Sequence, residues 1–96
     1  MTDTTDIERI AAGLSDAQRA VLLRMSDGEF VYPVARTADE AGVPLAEARK
    51  VIRQFRADGL ARYGVLYNED EYTVCGSGTW LSGLGLAVRA HLQERQ

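Results

Sequence analysis

The chain has 96 residues, of which 46% are hydrophobic and 26% charged, enough for one domain with a modest core and too apolar for wholesale disorder. A formal net charge of −3 excludes a uniformly basic nucleic-acid coat, and no apolar run approaches the roughly 20 residues that would span a bilayer. The single cysteine, Cys75, excludes an internal disulfide framework, and the acidic opening Met1-Thr2-Asp3-Thr4-Thr5-Asp6 is the reverse of a secretory signal, so a cytoplasmic protein is expected.

Thr5-Asp6-Ile7-Glu8 fits a capping box, and Ile7, Ile10, Ala11 and Leu14 follow at helical spacing, which predicts an N-terminal helical extension over residues 1–13. Ser15-Asp16-Ala17-Gln18 opens a second helix that runs to about Met25. Ser26-Asp27-Gly28 reads as a turn, and Phe30-Val31-Tyr32 as a short edge strand stopped by Pro33. Thr37-Ala38-Asp39-Glu40 is a third capping box, predicting a helix of barely two turns that Gly42 closes. Pro44 then starts a longer helix, Leu45 to about Asp58, with Gly59 as its left-handed cap. Its apolar residues Ala48, Val51, Ile52 and Phe55 fall at i, i+3, i+4, i+7 and define a core face, while Arg49, Lys50, Arg53 and Arg56 fall largely opposite.

Past Gly59 the period changes. Leu60–Tyr67 and Tyr72–Cys75 are rich in Tyr, Val and Leu, and flank Asn68-Glu69-Asp70-Glu71, which predicts a wing hairpin over 60–75 with an acidic tip. Trp80, Leu81, Leu84, Val88 and Leu92 then recur at helical spacing, so a C-terminal helix over 77–94 is expected, with Gly83 and Gly85 each costing up to about 1 kcal/mol relative to Ala. The charge is unevenly distributed. Residues 36–66 carry Arg36, Arg49, Lys50, Arg53, Arg56 and Arg62 against Asp39, Glu40, Glu47 and Asp58, the only stretch with a positive balance.

The expected fold is thus mainly α with a small β-hairpin wing, a single domain over 1–96 with a three-helix core, wing and C-terminal helix. It resembles the winged helix-turn-helix of MarR-type and ArsR-type bacterial regulators. The resemblance rests on Thr37-Ala38-Asp39-Glu40-Ala41-Gly42-Val43-Pro44, on Ala48, Ile52 and Phe55, on Asp58-Gly59-Leu60-Ala61-Arg62, and on Tyr72-Thr73-Val74-Cys75-Gly76-Ser77-Gly78-Thr79-Trp80-Leu81 as the end of a wing. It covers roughly residues 14–82, with the helix-turn-helix and the start of its wing at 36–63. It implies a non-enzymatic, double-stranded-DNA-binding transcriptional regulator whose second helix, about 45–58, enters the major groove.

The residues implied for DNA contact are Arg36, Thr37, Leu45, Ala46, Arg49, Lys50, Arg53, Arg62 and Tyr63. Arg36 and the amides at the start of the Thr37 helix would take a phosphate. The resemblance also implies a homodimer, and Trp80, Leu84, Val88 and Leu92 form the stripe expected to make its interface. Two features favour a different reading, a winged helix used as a protein-interaction module or accessory factor with little or no DNA binding. Three carboxylates at the wing tip, Glu69-Asp70-Glu71, suit a basic partner surface better than phosphates. Leu45, Ala46 and Glu47 are also a poor set of base readers. With one cysteine and one histidine, His91, no His-Cys metal cluster can form within a chain, and no cofactor loop or catalytic triad is evident.

Overall fold

The computed structural model describes residues 4–27, 33–68 and 73–94. Its elements are α1 (Thr4–Gly13), α2 (Asp16–Arg24), α3 (Val34–Ala41), α4 (Leu45–Ala57), β1 (Ala61–Asn68), β2 (Thr73–Leu81) and α5 (Gly83–Glu94). Helix α2 begins as expected. The Ser15 hydroxyl accepts from the Gln18 amide at 3.1 Å and the Gln18 side chain accepts from the Ser15 amide at 2.8 Å, a complete capping box. Thr5 lies inside the first turn of α1 rather than ahead of it.

Helices α2, α3 and α4 pack against one another, and α1 packs on α5. The core is continuous between them. Val21 and Leu22 of α2, Ala38 of α3, Ala48, Val51, Ile52 and Phe55 of α4, Leu60, Leu81 and Val88 are all buried. Phe55, only 1% exposed, is the largest of these, a side chain whose truncation to Ala typically removes about 3–5 kcal/mol. The α3–α4 turn and the turn from α4 into β1 both rest on glycine. Gly42 and Gly59 sit at φ +70° and +79°, the left-handed region that closes a helix without a Cβ clash.

Three expected boundaries move. Helix α3 starts at Val34, with Pro33 at its N-cap, so Thr37 is an interior helix residue, 4% exposed, and not a cap. The Arg36 and Thr37 amides both donate to the Pro33 carbonyl, at 3.1 and 3.3 Å, and neither is open to a phosphate. The hairpin is longer than 60–75. The strands pair antiparallel from Ala61 opposite Leu81 to Asn68 opposite Thr73, with one irregularity at Leu66/Tyr67. Residues 77–81 are therefore strand, and α5 begins at Gly83 rather than at 77. The Phe30–Tyr32 strand and the Glu69-Asp70-Glu71 tip lie outside the described residues. None of the described helices is long and apolar enough to cross a membrane.

The hairpin and α5 are joined to the end of α4 at one junction. The Ser82 hydroxyl donates to the Gly59 carbonyl at 2.6 Å and accepts from the Gly85 amide at 3.1 Å, so one side chain caps α5 and ties it to the turn after α4. The Ser82 amide donates to the Leu60 carbonyl at 3.0 Å, and the Leu81 amide to the Ser26 carbonyl at 2.9 Å. Arg89 of α5 donates to the Met25 carbonyl at 2.8 Å, satisfying the end of α2.

Candidate nucleic-acid interface

Helix α4 divides cleanly into two sides. At about 100° per residue, Ala48, Val51, Ile52 and Phe55 fall together, and all four are buried. Leu45, Ala46, Arg49, Lys50, Arg53 and Arg56 occupy another arc of roughly 140°, and all six are exposed. Among the described residues, Arg49, Lys50 and Arg53 make no ion pair or side-chain hydrogen bond. Three cations are thus held on one rigid outward surface by apolar residues that face the other way.

The N-terminal end of α4 follows the Gly42 turn and is open. Pro44 is its N-cap and offers no side-chain cap, so the first-turn amides and the positive end of the helix dipole accompany Leu45 and Ala46 at the tip. Leu45 is 38% exposed, a large apolar side chain left uncovered at that position. Glu47, also exposed, lies about 100° beyond Ala46 around the helix, away from Leu45.

Of the other residues expected at the interface, Arg36 is exposed on α3 and pairs with Glu40 one turn on, Nε to Oε1 at 3.2 Å. Arg62 and Tyr63 are exposed at the base of β1. Thr37 is the correction: packed into the core beside Ala38, it has no surface to offer DNA. Arg56, which the sequence places on the outward face of α4 but not among the DNA contacts, belongs beside them. Its guanidinium lies over the Tyr63 ring, 4.6 Å from the centroid, and links the end of α4 to the wing base. The signal was present, since Arg49, Arg53 and Arg56 recur at i, i+4, i+7 and Tyr63 follows the Gly59 turn.

The expected dimer stripe also divides. Val88 is fully buried within its own chain and is not available to a partner. Trp80 belongs to β2, opposite Arg62, where its ring fills the space that a Cβ on Gly64 would occupy. Leu84 and Leu92 of α5 remain half-buried, as do Ile7 and Ile10 of α1.

Solved structures share this arrangement. A candidate DNA-binding protein from Ralstonia eutropha is 27% identical, with a TM-score of 0.62 over 83% of this chain and 98% of that one. A MarR-family transcriptional regulator from Silicibacter pomeroyi is 26% identical, with a TM-score of 0.66 over 91% of this chain. The zinc-dependent MarR-family regulator AdcR is 20% identical, with a TM-score of 0.59 over 86% of this chain. The fold is a winged helix-turn-helix. In that frame α3 and α4 are the helix-turn-helix, β1 and β2 the wing, and α1 and α5 the flanking helices. The winged helix-turn-helix here spans 55% of the length of each of the two MarR-family chains, but nearly all of the Ralstonia protein. No protein-family model matches the sequence, and no curated protein does.

Proposed function

We propose that this protein is a cytoplasmic regulator of transcription that binds double-stranded DNA, with α4 as the recognition helix in the major groove. The observation that carries this reading is the outward face of α4, where Arg49, Lys50 and Arg53 stand exposed and unpaired among the described residues, opposite the face that packs the core. In a helix-turn-helix the N-terminal half of the second helix meets base edges while the first helix crosses the backbone. Arg62 and Tyr63 at the wing base, and Arg36 on α3, then flank α4 as phosphate contacts. Similarity to a candidate DNA-binding protein and to a transcriptional regulator of the same fold supports the assignment.

The test is binding of a random-sequence duplex by fluorescence anisotropy across a salt series, with an Arg49→Ala, Lys50→Ala, Arg53→Ala variant alongside. Neutralising about three or four phosphates predicts a log–log slope near −3, which the variant flattens by about two or more. Absence of binding at about 50 mM salt and tens of micromolar protein refutes the reading and favours a protein-interaction module.

Homodimerisation is part of the proposal. Leu84 and Leu92 of α5, with Ile7 and Ile10 of α1, supply the apolar surface, and a two-fold dimer would set two recognition helices about 34–36 Å apart. Light scattering after size exclusion is expected to give twice the 10.5 kDa of one chain, and Leu92→Glu to give the monomer. A wild-type monomer at about 100 μM, well above the micromolar affinity typical of weak association, removes the dimer from the proposal.

A further inference from the structure

We propose that Leu45 and Ala46 read thymine methyl groups, so that each recognition helix prefers a thymine within two base-pair steps of a guanine. This rests on α4 occupying the major groove.

The argument is one of chemistry at four positions. The residues at the exposed N-terminal half of the outward face are Leu45, Ala46, Arg49 and Lys50. Each base pair offers a distinct set of groups in the major groove. Adenine is read by Asn or Gln, and neither occurs among these four. Cytosine is read by a carboxylate, and the only one nearby, Glu47, lies about 100° around the helix from Ala46. Guanine presents O6 and N7, which Arg49 and Lys50 can donate to. Thymine presents its 5-methyl, the one base group an apolar side chain can recognise. Leu45 and Ala46 supply that apolar surface at the tip, Leu45 by reach and Ala46 by allowing close approach.

The spacing couples the two readouts. Leu45 stands directly one turn before Arg49, and Ala46 one turn before Lys50, so each apolar residue and its cation form a column on the helix surface. Four residues advance about 6 Å along the axis. That is less than two base-pair steps at about 3.4 Å each. A methyl contact and a guanine contact made by one column therefore fall on the same, adjacent or next base pair.

The test begins with selection from a duplex library carrying a randomised central segment, at about 150 mM salt so that phosphate contacts alone hold DNA weakly. The enriched duplex is then synthesised with thymine and again with uracil at its central positions. Uracil pairs identically and lacks only the methyl. Thymine near guanine is expected in the enriched site, and uracil is expected to weaken binding about fourfold per contacted methyl, or about fifteenfold for two, the transfer worth of a buried methyl. A Leu45→Ala, Ala46→Gly variant should bind the thymine and uracil forms equally, whatever its overall affinity for DNA. The thymine-to-uracil ratio is internal to each protein, so any loss of stability in the variant cancels. Equal binding of both forms by the wild type, a ratio that persists in the variant, or an enriched site without thymine overturns the proposal and leaves DNA binding standing. Failure to bind any duplex with a salt dependence overturns both.

Discussion

Two glycines two residues apart in α5 should respond to the same substitution with opposite signs. Gly83 lies in the first turn with nothing within 4 Å of where a Cβ would project, and neither it nor Gly85 adopts a left-handed φ. Gly83→Ala should therefore stabilise the protein by about 0.5–1 kcal/mol, the ordinary gain from restricting the unfolded chain. At Gly85 a Cβ would collide with the Leu60 carbonyl oxygen and come within 3.1 Å of the Leu81 side chain. That carbonyl cannot yield freely, because it accepts the Ser82 amide at 3.0 Å. The clash costs about 1–3 kcal/mol, the disturbed hydrogen bond about 1, and the helix-propensity gain returns up to about 1. Gly85→Ala should thus destabilise by about 2 kcal/mol, lowering Tm by about 8–16 °C in a domain of this size. Equilibrium urea denaturation followed by far-ultraviolet circular dichroism measures both variants. Gly85→Ala as stable as Gly83→Ala would refute the close approach of α5 to the end of α4.

Ser82→Ala removes the cap of α5 and the bond to the Gly59 carbonyl together, and should lower stability by about 1–2 kcal/mol in the same urea assay, with a loss under about 0.5 kcal/mol contradicting the junction. Glu40→Gln removes the carboxylate that engages Arg36 on the surface of α3, and should raise affinity for a random duplex up to about fivefold at low salt, the scale of an exposed ion pair. The gain should fade as salt rises, and an unchanged affinity at about 50 mM salt would place Arg36 outside the interface.

The pieces of this fold that local chemistry dictates were readable in the sequence. The Ser15–Gln18 box, the Gly42 and Gly59 turns and the buried stripe of α4 each depend on residues within one or two turns of one another. What failed depends on distant partners. Thr37-x-x-Glu40 has the form of a cap, yet the helix starts four residues earlier with Pro33 as its cap, Val34 packs against the core, and Thr37 is buried beside Ala38. Gly76, Ser77 and Gly78 have weak strand propensity, which predicts a hairpin ending at Cys75, but pairing with β1 carries β2 on to Leu81. That extension takes Trp80 out of the helical stripe and leaves Ser82, not an earlier residue, to open α5. Val88 fits the period of an exposed stripe, but periodicity alone does not say which neighbour covers it. The outward residues of α4, Arg56 included, are identifiable because the same helix names its own inner face; the Arg56–Tyr63 contact is not, because Tyr63 is on another element.

The division of α4 has a consequence for how such a protein changes over time. Ala48, Val51, Ile52 and Phe55 hold the helix in place, and Ala46, Arg49, Lys50 and Arg53 hold nothing else in place. Substitutions on a surface of that kind generally shift stability by no more than about 0.5 kcal/mol. Under the proposed function, target preference can therefore drift one residue at a time without threatening folding, so that two descendants of this chain could share every interior side chain and still answer to different operators.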